Sequence, residues 1–156
     1  MNAVVQSEAI ALRVARASDL GDVTRIERES FADPWGNADF RSVLQSPQTI
    51  FLVAVDGVSE AVVGYAVALT VLDESEILNI AVDPSMRGRG LGGRLLDAAI
   101  ADVLARGAVA AFLEVRESNA AARALYQSRG FETLSRRRGY YRTPVEDALV
   151  LRLAMQ

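Results

Sequence analysis

The chain predicts a mixed α/β (α+β) fold, one sheet of antiparallel and parallel strands with helices on its faces, in the order βααβββαβαββ. Three observations predict it. Strand-like runs are joined by the short turns Asp56-Gly57 and Asp73-Glu74, so the early strands form antiparallel hairpins. The run Ile77 to Val82 passes through a glycine-rich loop into a helical pattern and then into another strand, which makes those two strands parallel neighbours. Two helical patterns stop at glycines, Gly107 and Gly130, where a left-handed residue ends a helix at little steric cost.

Taken in order, residues 1 to 10 read as a loose leader and Ala11 to Ala15 as a short strand. Ser18-Asp19 predicts the N-cap of a helix reaching about Ser30, with Leu20, Val23, Ile26 and Phe31 on its apolar stripe. Asp33-Pro34-Trp35-Gly36 breaks that helix. Asn37 opens a second, through Phe40, Val43 and Leu44, ended at Ser46-Pro47. Thr49 to Val55, Val62 to Leu72 and Ile77 to Val82 read as successive strands. The helix from about Gly90 to Arg106 carries Leu91, Leu95, Leu96, Ala99, Ile100 and Val103 on one face. Val109 to Val115 is a strand, and Ser118-Asn119 caps a helix to Arg129. Phe131 to Arg137 and Ala148 to Ala154 are the last strands, around a loop from Gly139 to Asp147.

At 156 residues the chain predicts one domain, 1–156, able to bury about 70% of its unfolded surface without staples. It contains no Cys and no His, which excludes zinc–thiolate sites, disulfides, cysteine nucleophiles and every triad with a histidine base. It also lacks Lys. All 17 basic residues are Arg, so a P-loop lysine and Schiff-base chemistry are excluded as well. Acid–base work falls to Asp, Glu, Tyr or the backbone. The net charge of −3 argues against wholesale nucleic-acid binding. The start MNAVVQSEAIAL lacks a basic n-region and carries Glu8, which makes a poor signal peptide, and no apolar window is long enough to span a membrane. A cytoplasmic protein, monomeric or weakly oligomeric, with no bound metal is the expectation.

The segment from Glu76 to Gly93 carries the most chemistry. Four of the six residues from Gly88 to Gly93 are glycine, directly before a helix. A strand feeding such a loop and a helix N-terminus gathers backbone N–H groups on an anion, typically a phosphate. Two motifs fit. Gly88-x-Gly90-x-x-Gly93 satisfies the dinucleotide fingerprint, with Glu114 near the position of its ribose-binding acid. That fingerprint, however, follows its strand at once and belongs to a parallel sheet. Here Asp83 to Arg87 intervene and antiparallel strands precede. The other motif, Arg87-x-x-Gly90-x-Gly92, wraps a pyrophosphate directly, with Arg87 and Arg89 adding charge-assisted contacts. A plain strand-to-helix turn would need only one or two glycines.

Five blocks in order carry a resemblance: Asp33-Pro34-Trp35; Leu78-Asn79-Ile80-Ala81-Val82; the Arg87-x-x-Gly90-x-Gly92 loop; Leu113-Glu114-Val115-Arg116-x-Ser118-Asn119-x-x-Ala122-x-x-Leu125-Tyr126; and Arg137-x-x-Tyr140-Tyr141. From about residue 10 onward the chain resembles the GNAT N-acetyltransferases, and within them the ribosomal-protein-alanine N-acetyltransferases. The resemblance implies acetyl-CoA as cosubstrate and a free amine as acceptor, the N-terminus of a ribosomal protein. It implies that the backbone of Ile80, Ala81 and Val82 pairs with the pantetheine arm. It also places the pyrophosphate on Arg87, Gly88, Arg89, Gly90, Leu91, Gly92 and Gly93, and a further cofactor contact on Asn119. Pro34-Trp35 and Tyr140-Tyr141 would sit in loops flanking the acceptor.

An α-amine has a pKa near 8, so a group must take its proton before it attacks. Glu114, at the C-terminal edge of a central strand between apolar Leu113 and Val115, is suited to that role, the competing reading being a rim carboxylate paired with Arg116. Tyr126, two helical turns after Asn119, can supply a proton to the leaving thiolate or simply pack against Phe131. The resemblance favours base and acid for the two. Arg136-Arg137-Arg138 reads as a solvated run or as a contact for an acidic or ribosomal partner. A lysine or small-amine acetyltransferase and a non-catalytic CoA-binding regulator remain the rival functions.

Overall fold

A computed structural model describes residues 10–155. The expected leader, apart from Ile10, lies outside the described residues. The strands are β1 (Ile10–Val14), β2 (Thr49–Asp56), β3 (Val62–Val71), β4 (Glu74–Val82), β5 (Ala110–Arg116), β6 (Glu132–Arg142) and β7 (Val145–Ala154). The helices are α1 (Leu20–Ser30), α2 (Asn37–Gln45), α3 (Leu91–Ala105) and α4 (Ala120–Ser128). The sheet order is β1-β2-β3-β4-β5-β7-β6, and every pairing is antiparallel except β4 with β5.

The period-2 alternation of strand side chains divides the core in two. In β2, Ile50, Leu52 and Ala54 face α3 while Phe51 and Val53 face α1 and α2. The α3 layer seats Leu91, Leu95, Leu96, Ala99 and Val103 on the sheet together with Tyr126 of α4 and Phe131. The other layer packs Leu20, Val23, Ile26 and Phe40 against Val53, Tyr65 and Val67. Phe40 is its hub, with ring centroids 5.5 Å from Tyr65 and 5.9 Å from Phe51.

Several local expectations change. Asp19 does not cap α1 through its side chain. Its carboxylate accepts from the Arg16 N–H at 2.7 Å and from both terminal nitrogens of Arg13, so it ties β1 to the turn before the helix. The apolar stripe of α1 is completed not by Phe31, which is 38% exposed, but by the carboxylate of Glu27 at 1% exposure. The predicted loop from Gly139 to Asp147 is largely sheet. β6 runs to Arg142 and β7 starts at Val145, so Tyr140 and Tyr141 stand on a strand. Asp147 supports the extension by accepting from the Gly139 N–H at 2.9 Å and from Arg136 at 3.1 Å.

The feature that positions the site is the brevity of the parallel pairing. β4 and β5 are in register only over Glu74–Glu76 and Ala110–Phe112. Beyond Glu76 the strands diverge and leave one edge of β4 without a strand beside it. An extra residue in β4, Leu78, also shifts its register with β3, so that Ile77 pairs with Ala68 but Asn79 with Val67.

Candidate active site

A cleft of about 1040 Å³ fills the gap between the diverging strands. It passes through the sheet. On one face it is lined by Leu91, Leu125 and Tyr126 of the α3–α4 layer, and on the other by Glu27, Trp35 and Leu78 of the α1–α2 layer. Ile80, Ala81, Val82, Glu114, Tyr140 and Tyr141 line it as well, so most of the residues singled out from the sequence converge on one space.

The mouth on the α3 side is built for an anion. Gly88 and Gly90 both have φ of 79°, a left-handed conformation in which a side chain would be strained. Gly90 is the N-cap of α3, and the Arg94 N–H is the one that bonds back to the Gly90 carbonyl, at 3.1 Å. The N–H groups of Leu91 and Gly92 therefore have no partner within the helix. The first turn of α3 carries no acidic residue that would oppose an anion at its positive end.

The two arginines of the loop are placed differently from each other. Arg87 lines the cleft, but its Nε donates to the Val82 carbonyl at 3.0 Å and its Nη2 to the Ser30 hydroxyl at 3.0 Å, fastening the loop to β4 and α1. Arg89 and Gly93 do not line the cleft. A Cβ on Gly93 would run into the Arg129 guanidinium, which forms a two-pronged pair with Asp97 at 3.0 and 3.2 Å. The absence of a side chain at Gly93 thus gives room to Arg129. Asp83 fixes the start of the loop by accepting from the Ser85 N–H and hydroxyl at 2.9 and 2.8 Å and from Arg25 at 3.0 Å. Asn119 lines the cleft while its Oδ1 accepts from the Ala122 N–H at 3.1 Å, capping α4.

Glu114 lies where the strands part. Period 2 turns it to the face opposite Leu113 and Val115, which are buried in the α3 layer. Its Oε1 accepts from Arg137 Nη1 at 2.8 Å, and its Oε2 is buried with no hydrogen-bond partner. The expected rival pairing with Arg116 is absent. Arg116 instead binds Glu146 at 3.1 Å and the carbonyls of Thr143 and Pro144, holding the β6–β7 turn against the end of β5. Glu114 also borders a smaller hollow of about 310 Å³ with Glu76, Phe112 and Val150. The carboxyl of Glu76 is pushed above the usual range by burial and then by the charge of Glu114.

Tyr126 is 7% exposed, with its ring 5.8 Å from Phe131, so it is both a packed aromatic and a cleft residue. Burial, helped by Tyr141, pushes its hydroxyl up to about 12. Tyr141 rises to about 12 through burial and then the charge of Glu114, under the Arg116 guanidinium 4.3 Å above its ring. Tyr140 packs edge-on against Tyr141 at 5.2 Å, with Arg137 4.6 Å over its ring. Arg136 is neutralised by Glu117 at 2.6 Å and Asp147 at 3.1 Å. Trp35 forms a wall of the cleft, whereas Pro34 does not line it.

Glu27 is a cleft residue that the sequence reading missed. The available signal was a carboxylate at i+7 from Leu20 and i+4 from Val23, inside an apolar stripe where charge is costly.

The model of the Acetyltransferase (GNAT) family matches residues 20–131, from α1 to the residue before β6. The chain belongs to this family. Over 144 residues this GNAT chain is 38% identical to the [ribosomal protein bS18]-alanine N-acetyltransferase of Salmonella typhimurium, covering 91% of the chain and 95% of the relative. The crystal structure of the ribosomal-protein-S18-alanine N-acetyltransferase from Escherichia coli superposes with a TM-score of 0.86 at 35% identity, covering 94% of each chain. A GNAT phosphinothricin acetyltransferase from Sinorhizobium meliloti, solved in complex with acetyl-CoA, shares the fold at a TM-score of 0.81 and 23% identity, over 94% of this chain and 89% of that one. As a GNAT acetyltransferase the chain uses acetyl-CoA as its acyl donor, and the donor's polyanionic end suits the acid-free, glycine-lined start of α3. Among the described residues no cluster of three or more metal-ligating side chains occurs.

Proposed function

We propose that this chain acetylates the N-terminal α-amine of a protein, a ribosomal protein beginning with alanine, by direct attack within a ternary complex. The observation that carries the reading is the cleft running through the sheet, with the glycine loop and Tyr126 on one side and Glu114 and Trp35 toward the other. Donor and acceptor can then enter from opposite faces and meet at the divergence of β4 and β5. The named relatives support the choice of acceptor.

Acetyl-CoA supplies an acyl group activated as a thioester. The N–H groups of Leu91 and Gly92, with those of the Gly88–Gly90 turn, hold its pyrophosphate, and Asn119 adds a contact. The open edge of β4 at Ile80–Val82 offers backbone groups to an extended ligand arm. An N–H there stabilises the negative charge that develops on a carbonyl oxygen under attack. Glu114 Oε2, buried and unpartnered, accepts the proton of the incoming amine directly or through water. Tyr126 holds its proton at neutral pH, because its hydroxyl titrates about 12. So weak an acid stabilises the developing thiolate by donating a hydrogen bond, and the proton that Glu114 takes from the amine balances the departing thiolate. Trp35 and the Tyr140–Tyr141 pair form the wall for the first residues of the acceptor.

On this reading residues 1–156 act as one catalytic unit in the cytoplasm, as a monomer or weak oligomer, on protein rather than nucleic acid or membrane. No described helix is long and apolar enough to cross a membrane. The test is an acetylation assay on a peptide array with Ala, Ser and Met starts and an N-blocked lysine peptide. Acetylation of the alanine peptides is expected. Transfer only to the lysine peptide, or acetyl-CoA binding without transfer to any amine, overturns the reading.

A further inference from the structure

We infer that Glu27 is a positioning residue, whose single carboxylate ties the Trp35 wall of the cleft to the bulge of β4 and so sets where the acceptor amine meets the open strand edge. The inference rests on the proposed acceptor role of the Trp35 wall.

Glu27 is 1% exposed, and no cation pairs with it among the described ion pairs. Neutral donors satisfy it instead. Oε2 accepts from the Trp35 backbone N–H at 2.9 Å, and the Asn79 amide donates to Oε1 at 3.1 Å and Oε2 at 3.2 Å. Oε1 also accepts from the Tyr65 hydroxyl. These donors come from the loop after α1, from β4 and from β3, three segments joined through one planar group. A buried carboxylate without a counterion is costly, and an apolar side chain would pack the stripe of α1 more cheaply. What it provides is a fixed distance. Trp35 and Asn79 both line the cleft, and Asn79 directly follows the register shift at Leu78. Released from Glu27, the Trp35 segment would keep its ring contact with Phe40, centroids 5.3 Å apart, but lose its tie to β4.

The hydrogen-bond pattern gives a decisive test. Glu27→Gln turns one acceptor into a donor that faces the Trp35 N–H or the Asn79 amide. Adding Asn79→Asp supplies an acceptor opposite the new donor and restores a complementary pattern. The readouts are kcat and KM for an alanine-starting peptide, Kd for acetyl-CoA, and the emission of Trp35, the sole tryptophan. Glu27→Gln is expected to lower kcat/KM for the peptide by about 10²-fold, the order of effect of an ångström-scale misplacement, with acetyl-CoA affinity held within about twofold. Trp35 emission should shift to the red, and the double variant should recover about tenfold or more of the lost kcat/KM. Tyr65→Phe removes only the fully buried donor, which does not line the cleft, and should lower thermal stability with kcat/KM nearly unchanged. Wild-type kcat/KM and emission in Glu27→Gln, or a loss of thermal stability alone, overturn the inference. If Glu27→Gln does not fold, Asn79→Ala carries the same readouts from the cleft side. If the wild-type protein acetylates no peptide, the proposed function falls, and the Trp35 emission of these variants still decides whether Glu27 holds the wall.

Discussion

Arg137 donates to Glu114 Oε1 at 2.8 Å and leaves Oε2 of the same carboxylate buried and without a partner. One oxygen is fixed in direction, while the other makes no hydrogen bond. A catalytic base needs both properties, a held orientation and a free lone pair. Replacing Glu114 by Gln keeps the shape and removes the basicity. Turnover should fall about 10²-fold or more, with acetyl-CoA affinity retained. Calorimetric binding combined with steady-state kinetics checks both halves, and wild-type turnover would return Glu114 to a structural role.

Tyr126 carries the next prediction. Because its hydroxyl is pushed up to about 12, it keeps its proton through the neutral and mildly alkaline range. As a donor it produces no falling limb in kcat up to pH about 10, where an unperturbed tyrosine would begin to lose its proton. Tyr126→Phe should lower kcat by a similar factor across this range. A pH–rate profile with a descending limb near 9 that disappears in Tyr126→Phe would contradict the assignment of its protonation state.

The mouth of the cleft tests the anion cradle. Gly90 adopts φ of 79°, so Gly90→Ala strains the N-cap of α3 by about 1–2 kcal/mol and turns the following N–H groups away. Loss of one charge-assisted hydrogen bond corresponds to about a tenfold rise in acetyl-CoA Kd. Unchanged affinity in a folded variant would move the pyrophosphate elsewhere.

Stability in acid should depend on Asp19. The Arg13 guanidinium and the Arg16 N–H hold its carboxyl below the usual range. A lowered folded pKa means that the unfolded chain binds the proton more tightly. The stabilisation is therefore full above the unfolded value, near 4, and is lost as pH falls through the folded one. Asp19→Asn should cost about 1–3 kcal/mol at pH 7. Urea denaturation should show that difference shrinking below pH about 4. A pH-independent difference would mean that packing, not charge, is responsible.

The element order was legible because each boundary had a local chemical cause: Gly107 and Gly130 end helices, Asp56-Gly57 turns a hairpin, and Asn119 caps α4. Interactions between distant residues were not legible. The sequence marks Arg87 as a candidate phosphate ligand but not its bonds to Val82 and Ser30, because Ser30 lies on a helix far away in sequence. Arg116 was the nearest arginine to Glu114 along the chain, but β6 brings Arg137 across β7 to the same face. The segment from Gly139 to Asp147 reads as a loop because its glycine, tyrosines and Pro144 lack apolar alternation. Its strand state comes instead from tertiary pairing to β7 and the side chain of Asp147. The partners of Glu27 were not legible for the same reason, since its three donors come from separate elements.

The central claim is that the cleft between β4 and β5 delivers an acetyl group to a protein N-terminus. The most direct test uses one peptide that begins with alanine and carries an internal lysine, incubated with acetyl-CoA and the enzyme and sequenced by tandem mass spectrometry. The account predicts acetyl on the first residue alone and almost none when Glu114→Gln replaces the wild-type enzyme. Acetyl on the internal lysine with a free N-terminus, or equal labelling by Glu114→Gln, would contradict it.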